Sequence, residues 1–153
     1  MKKILIAYFS ATGTTEKMAV YIAEGVRFSG QEAVTKRIGD INATDIAGYD
    51  GYIFGSPTYS LDVPDRVKIF LRTLKKTDLE GKMGGAFGTY THDVGYKHDT
   101  HAPAIILDTL HHTYKMKPFE LGPFNLREDL VETTEGIRTC QDYGRVFGEK
   151  LES

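Results

Sequence analysis

Six consecutive residues, Ser10-Ala11-Thr12-Gly13-Thr14-Thr15, place four hydroxyl side chains around one glycine. They follow an apolar run, Lys2 to Phe9, and precede apolar residues recurring at helical spacing: Met18, Ala19, Ile22, Ala23 and Val26. A turn that opens a helix presents backbone N–H groups with no intrahelical acceptor, and the helix dipole favours an anion there. Hydroxyls add donors without adding charge. The stretch therefore reads as a phosphate cradle. A nucleoside-triphosphate loop needs a lysine after its last glycine, and Gly13 is followed by Thr14. The dinucleotide pattern G-x-G-x-x-G is absent after the first apolar run. A thiol-type phosphatase needs its cysteine in the loop, whereas the only cysteine is Cys140. A phospho-acceptor domain needs acidic residues where Ser10 and Ser56-Pro57-Thr58 stand.

The elements that position this cradle follow from periodicity. The run at 3–9 suits a strand covered on both faces. A helix to about Ser29 ends near Gly30. Residues Glu32 to Ile38 alternate weakly, as an edge strand does, and Asn42 heads a short helical turn. Asp50 to Gly55 is a third strand, ending in Ser56-Pro57-Thr58-Tyr59-Ser60. Pro64 starts a helix with the stripe Val67, Phe70, Leu71 and Leu74. Met83 to Tyr90 is a glycine-rich strand in which Gly84, Gly85 and Gly88 point to close packing or close approach to a ligand. A polar loop follows, then a helix with Pro103 in its first turn. Met116 to Leu121 is a weak fifth strand, Pro123 to Leu130 a connection, and a last helix carries Ile137, Cys140, Gly144, Phe147 and Leu151.

Strand and helix thus alternate five times. That order predicts one α/β domain over 1–153, a three-layer αβα sandwich with a five-stranded parallel sheet in the order 2-1-3-4-5. Ligands of such sheets bind at the carboxyl ends of the strands, where the winding reverses. The loops at 10–15, 56–62 and 89–99 all follow the three central strands, so they share one rim. The chain is 41 % hydrophobic with a formal charge of -2. That suits a globular protein and offers no basic field for nucleic acid. One cysteine forms no internal disulfide, no apolar stretch is long enough to span a bilayer, and the run after Lys2-Lys3 is too short for a signal peptide. A cytoplasmic protein without membrane partners is the expectation.

On these residues the chain resembles the flavodoxin family. Ser10-Ala11-Thr12-Gly13-Thr14-Thr15 is similar to that family's phosphate loop. Gly55-Ser56-Pro57-Thr58-Tyr59 is similar to the flavin loop of flavodoxin-like quinone reductases and of flavodiiron flavodoxin domains. Gly88-Thr89-Tyr90 with Gly95-Tyr96 is a looser match, and the short fifth strand resembles the short-chain members. The resemblance implies a non-covalent FMN. Ser10, Thr12, Gly13, Thr14 and Thr15, with Ala11 between them, would hold its phosphate. Ser56, Pro57, Thr58, Tyr59 and Ser60 would lie on one side of the isoalloxazine, with Tyr59 where a stacking aromatic is common. Gly88, Thr89, Tyr90, Gly95 and Tyr96 would lie on the other side. In a chain without Trp, tyrosines are the natural ring partners.

The implied function is electron transfer between redox partner proteins, a reductase and an acceptor, with no acid–base catalytic residue. The alternative is an NAD(P)H-dependent quinone reductase on the same scaffold; a non-redox phosphate- or nucleotide-binding module ranks third. Two departures from the family matter. Members often carry a glycine after the stacking residue, which lets a peptide turn toward the reduced flavin. Tyr59 is followed by Ser60-Leu61, and a left-handed backbone costs a non-glycine residue on the order of 1 kcal/mol. Weaker stabilisation of the one-electron-reduced flavin is expected. Near-neutral charge also predicts a less extreme low potential. His92, His98 and His101 with Asp93 and Asp99 match no zinc spacing and read as solvated loop side chains. Cys140 reads as a small core residue.

Overall fold

The computed structural model describes residues 1–59, 62–91 and 101–152. The elements run β1 (Lys3–Tyr8), α1 (Thr14–Phe28), β2 (Glu32–Arg37), β3 (Gly51–Pro57), α2 (Asp65–Thr73), β4 (Met83–Tyr90), α3 (Ala102–His112), β5 (Lys117–Pro118), β6 (Phe124–Arg127) and α4 (Thr134–Glu152). The sheet is parallel in the order β2-β1-β3-β4-β5, with β6 also pairing with β4.

Alternation along the strands builds two cores. In β1, Ile4, Ile6 and Tyr8 face α1 and α4, joining Met18, Ile22, Val26, Cys140 and Phe147. Leu5 and Ala7 face the other way, toward Phe70 and Leu71 of α2 and Ile106 and Leu110 of α3. Helices on both faces explain why β1 and β3 read as unbroken apolar runs. Cys140 is fully buried in the first of these cores, and burial pushes its thiol up to about 12.

The fifth position of the sheet corrects the sequence reading. Met116 to Leu121 is not one strand, and Pro123 to Leu130 is not only a connection. β5 pairs with Met83 and Gly84, and β6 pairs with Phe87 to Tyr90. Ala86 lies opposite the break. The Tyr143 hydroxyl of α4 fills it, accepting from the Ala86 N–H at 3.1 Å and donating to the Ala86 carbonyl at 3.2 Å. Rings from both sides of the break, Phe119 and Phe124, pack on Tyr143 with centroids at 5.2 and 4.9 Å. Two aromatics and a hydroxyl thus complete what ladder bonds leave open. β3 differs too: it runs on to Pro57, so Ser56 and Pro57 belong to the strand and are buried.

Candidate functional site

The first rim loop is an open helix start. Gly13 caps α1 in the left-handed region, φ 93°. A Cβ there would meet nothing within 4 Å, so the glycine is required by backbone conformation and not by space. No side chain caps α1. The Gly13 N–H donates to Ser10 Oγ at 3.0 Å, which folds the loop back on itself. The helix ladder begins with the Lys17 N–H donating to the Gly13 carbonyl. The N–H groups of Thr14, Thr15 and Glu16 find no acceptor among the described residues. Three such donors at the positive end of a 15-residue helix are a candidate anion site. Among the described residues, no lysine or arginine bonds the loop hydroxyls. Donors of this kind fit a phosphate monoester that is held and not transferred.

The three rim loops are tied together by threonines. Thr15 Oγ1 of the first loop lies 2.9 Å from Thr89 Oγ1 at the end of β4, both buried. The Thr89 carbonyl accepts from the Thr58 N–H at 2.9 Å, and Thr58 Oγ1 accepts from the Ala102 N–H at the start of α3 at 2.9 Å. Thr89 is 0 % exposed, so its side chain faces α1 and not the rim. Gly88 is equally enclosed: a Cβ would lie 2.3 Å from the Ser56 carbonyl and 2.8 Å from Pro103. It serves close packing of β4 against β3 and α3. Ser56 also points inward, donating to the Pro57 carbonyl at 2.8 Å.

What remains open on the rim is Ser10, Ala11, Thr12, Thr14, Thr58, Tyr59 and Tyr90. Tyr59 is 44 % exposed and exchanges two backbone hydrogen bonds with Asp62, at 2.8 and 2.9 Å. Asp62 in turn holds Lys68 at 2.6 Å, and that hydrogen bond draws its carboxyl below the usual range. Tyr90 is half-buried against the His101 ring, centroids 5.1 Å apart. The expected site residues Ser60, Gly95 and Tyr96 lie outside the described residues, as do His92, His98, Asp93 and Asp99. The structure therefore gathers an exposed ring, Tyr59, and a half-buried ring, Tyr90, on the two loops beside an anion cradle. That geometry suits a planar aromatic group carrying a phosphate.

Three nearby residues escaped the sequence reading. His101 is buried, not solvated, and its Nδ1 pairs with the Asn125 amide nitrogen. Asn125 lies on β6, which the weak periodicity of 123–130 concealed. Glu128, just past β6, accepts from Thr12 Oγ1 at 3.5 Å, so a carboxylate borders the cradle. Beneath it, Tyr8 donates to Glu16 at 2.7 Å, and Arg37 holds the other oxygen of that carboxylate at 2.8 Å. Burial first, then the Glu16 hydrogen bond, pushes the Tyr8 phenol up to about 12. Among the described residues, no helix is long and apolar enough to cross a membrane.

Comparisons with known proteins point the same way. A family model described as a flavodoxin domain matches residues 5–122. The flavodoxin of Clostridium saccharobutylicum is 39 % identical over 88 residues, covering 57 % of this chain and 55 % of that protein. The alignment thus spans about half of that relative's length. An NAD(P)H dehydrogenase (quinone) of Sinorhizobium fredii is 29 % identical over 136 residues, covering 73 % and 68 % of the two chains. The crystal structure of oxidised flavodoxin 2 from Bacillus cereus superposes with a TM-score of 0.82 at 26 % identity, covering 97 % of this chain and 99 % of that one.

Proposed function

The chain belongs to the flavodoxin family, and on that premise we propose that it binds FMN non-covalently and carries electrons between redox proteins. The observation that carries this reading is the N-terminus of α1, where the N–H groups of Thr14, Thr15 and Glu16 have no acceptor among the described residues, on the same rim as the rings of Tyr59 and Tyr90. Ser10, Thr12, Thr14 and Thr15 and their backbone would hold the phosphate. Pro57, Thr58, Tyr59 and Ser60 would flank one side of the isoalloxazine, and Tyr90, Gly95 and Tyr96 the other. When bound, the flavin supplies one- and two-electron chemistry; the protein sets its position, its access to water and its potential. Thr89 supports the cradle from within through Thr15. The chain acts as a single domain, with a reductase and an acceptor as partners and the cytoplasm as its compartment.

The Sinorhizobium relative and the Pro57-Thr58-Tyr59 loop favour a second reading, an NAD(P)H-dependent quinone reductase. One experiment separates them. The purified protein is titrated with FMN and then mixed with NADH or NADPH and a quinone. Flavin uptake with reduction only through a separate reductase supports the carrier. Rapid flavin-dependent turnover with the nicotinamide alone supports the reductase. A protein that takes up no FMN is neither.

A further inference from the structure

The helix that follows the second rim loop is unlike the rest of the chain in charge. Between Asp65 and Lys76 lie Arg66, Lys68, Arg72, Lys75 and Lys76 against one acid, in a chain of formal charge -2. Lys68 is neutralised by Asp62 at 2.6 Å. Arg66, Arg72, Lys75 and Lys76 are exposed and have no ion-pair partner within 4 Å among the described residues. Among these cations stands Ile69, 57 % exposed on an otherwise regular helix. Its side chain borders a cleft of about 310 Å³ formed with Phe9, Ile38, Ile41 and Phe70, with Arg66 at the edge.

An exposed aliphatic side chain beside an apolar cleft, with Arg66 at the cleft's edge, Arg72 one turn further along the helix and Asp65 as the one acid beside them, has the make-up of a protein interface: an apolar anchor with a mainly basic rim. The rim is basic, so charge complementarity selects an acidic partner. Position adds to this. α2 starts two residues after Val63, at the end of the loop that carries Tyr59. Beyond the opposite side of the cradle stand Glu128 and Glu135, with Asp129 paired to Arg127 and Glu132 paired to Lys17. A rim basic at one end and acidic at the other would orient an incoming partner as well as attract it.

We propose that the exposed face of α2, Ile69 with Arg66 and Arg72, together with Lys75 and Lys76 of the 3-10 turn that follows it, is the docking surface for an acidic redox protein. The proposal rests on the carrier reading, since it names the class of partner that the carrier meets.

The test is zero-length carbodiimide coupling of the FMN-saturated protein to an acidic [2Fe–2S] ferredoxin. Coupling joins a lysine amine to a carboxylate as an amide while the carbodiimide takes up the water. The expected product is a one-to-one adduct whose cross-linked peptides contain Lys75 or Lys76, suppressed by high salt. R66E/R72E leaves both lysines in place and should cut the yield about tenfold, because attraction becomes repulsion. I69A should lower it while leaving the salt dependence unchanged. Both positions are exposed, so the variants keep the fold, which circular dichroism checks. An adduct unaffected by R66E/R72E overturns the proposal. So does preferential coupling to basic cytochrome c, coupling of α2 to the 128–135 stretch of a second copy, or binding of R66E/R72E-sensitive sites to anionic phosphatidylserine vesicles in place of the ferredoxin. Coupling needs no flavin: a chain that forms the adduct but takes up no FMN sinks the carrier reading and with it the redox role of this face, whereas a chain that takes up FMN but forms no adduct sinks the docking surface alone.

Discussion

Thr89 is placed to support the proposed phosphate cradle through Thr15. Its hydroxyl and that of Thr15 share one hydrogen bond at 2.9 Å. If Thr89 donates, the Thr15 hydroxyl keeps its own proton for the cradle, and the bond polarises it further. Thr89→Val removes that donor at nearly constant volume. We expect FMN to bind about tenfold more weakly, the worth of one buried hydrogen bond, while riboflavin, which has no phosphate, binds as before. Thr89→Ser should restore FMN affinity. Fluorescence titration of both flavins decides the matter: parallel losses would mean that Thr89 supports the ring or the fold and not the phosphate loop. Replacing Thr12 and Thr15 together by alanine should weaken FMN more severely with the fold intact, and in that background Thr89→Val should add nothing. An unchanged FMN affinity in the double variant would mean the loop is not the phosphate site. The hydroxyls of the cradle were legible because a strand, a polar turn and a helix start are written within a few residues. The partner of Thr15 was not, because 74 residues separate it from Thr89, and nothing local in Gly88-Thr89-Tyr90 says which face of β4 the threonine takes.

At the level of elements, the broken fifth strand was hidden for a related reason. Its two pieces, Lys117–Pro118 and Phe124–Arg127, have two and four residues, too few for alternation to be read. The Tyr143 hydroxyl that closes the gap comes from a helix, and no strand pattern could announce it. Tyr143→Phe keeps the packing with Phe119 and Phe124 but leaves the Ala86 N–H and carbonyl unpaired in the core. A loss of about 1–3 kcal/mol is expected, read as a lower midpoint in urea unfolding; an unchanged midpoint would mean that water or β-ladder adjustment replaces the hydroxyl. At the end of β1, Tyr8 couples the sheet to α1 through Glu16. Its folded pKa, about 12, lies above the ordinary value of 10.0. Below pH 10 both folded and unfolded states keep the proton, and the contribution to stability is whole. As pH rises toward 12 the unfolded chain ionises first, so stability falls. Tyr8→Phe should make unfolding free energy less steep in pH across that window, with fewer phenols ionising on unfolding by ultraviolet absorbance. A slope equal to that of the parent protein would show that the other buried tyrosines account for it.

For the whole molecule, the architecture was legible because two signals agree: unbroken apolar strands and amphipathic helices in strict alternation admit few packings other than a parallel sheet covered on both faces. The location of the site follows from that topology, since β1, β3 and β4 are neighbours and their carboxyl ends face one way. The consequence is thermodynamic. The proposed phosphate cradle lies at the start of α1, the loops proposed to flank the ring follow β3 and β4, and Thr15, Thr89 and Thr58 join them across the sheet. None of this arrangement exists until β1, β3 and β4 are paired, so the unfolded chain has no FMN site. A ligand that binds the folded state alone stabilises it by mass action, about 2.7 kcal/mol when free FMN is a hundredfold above its dissociation constant. Urea unfolding at rising FMN concentration should show the midpoint climbing with the logarithm of free FMN, with no change in slope against denaturant. Riboflavin should give the same logarithmic dependence displaced to higher concentration, because the open N–H groups of Thr14, Thr15 and Glu16 have no anion to meet. A midpoint that ignores FMN would mean that the folded chain does not bind FMN in preference to the unfolded one. Equal curves for FMN and riboflavin would instead mean that the ring alone is bound and the helix start is not a phosphate cradle.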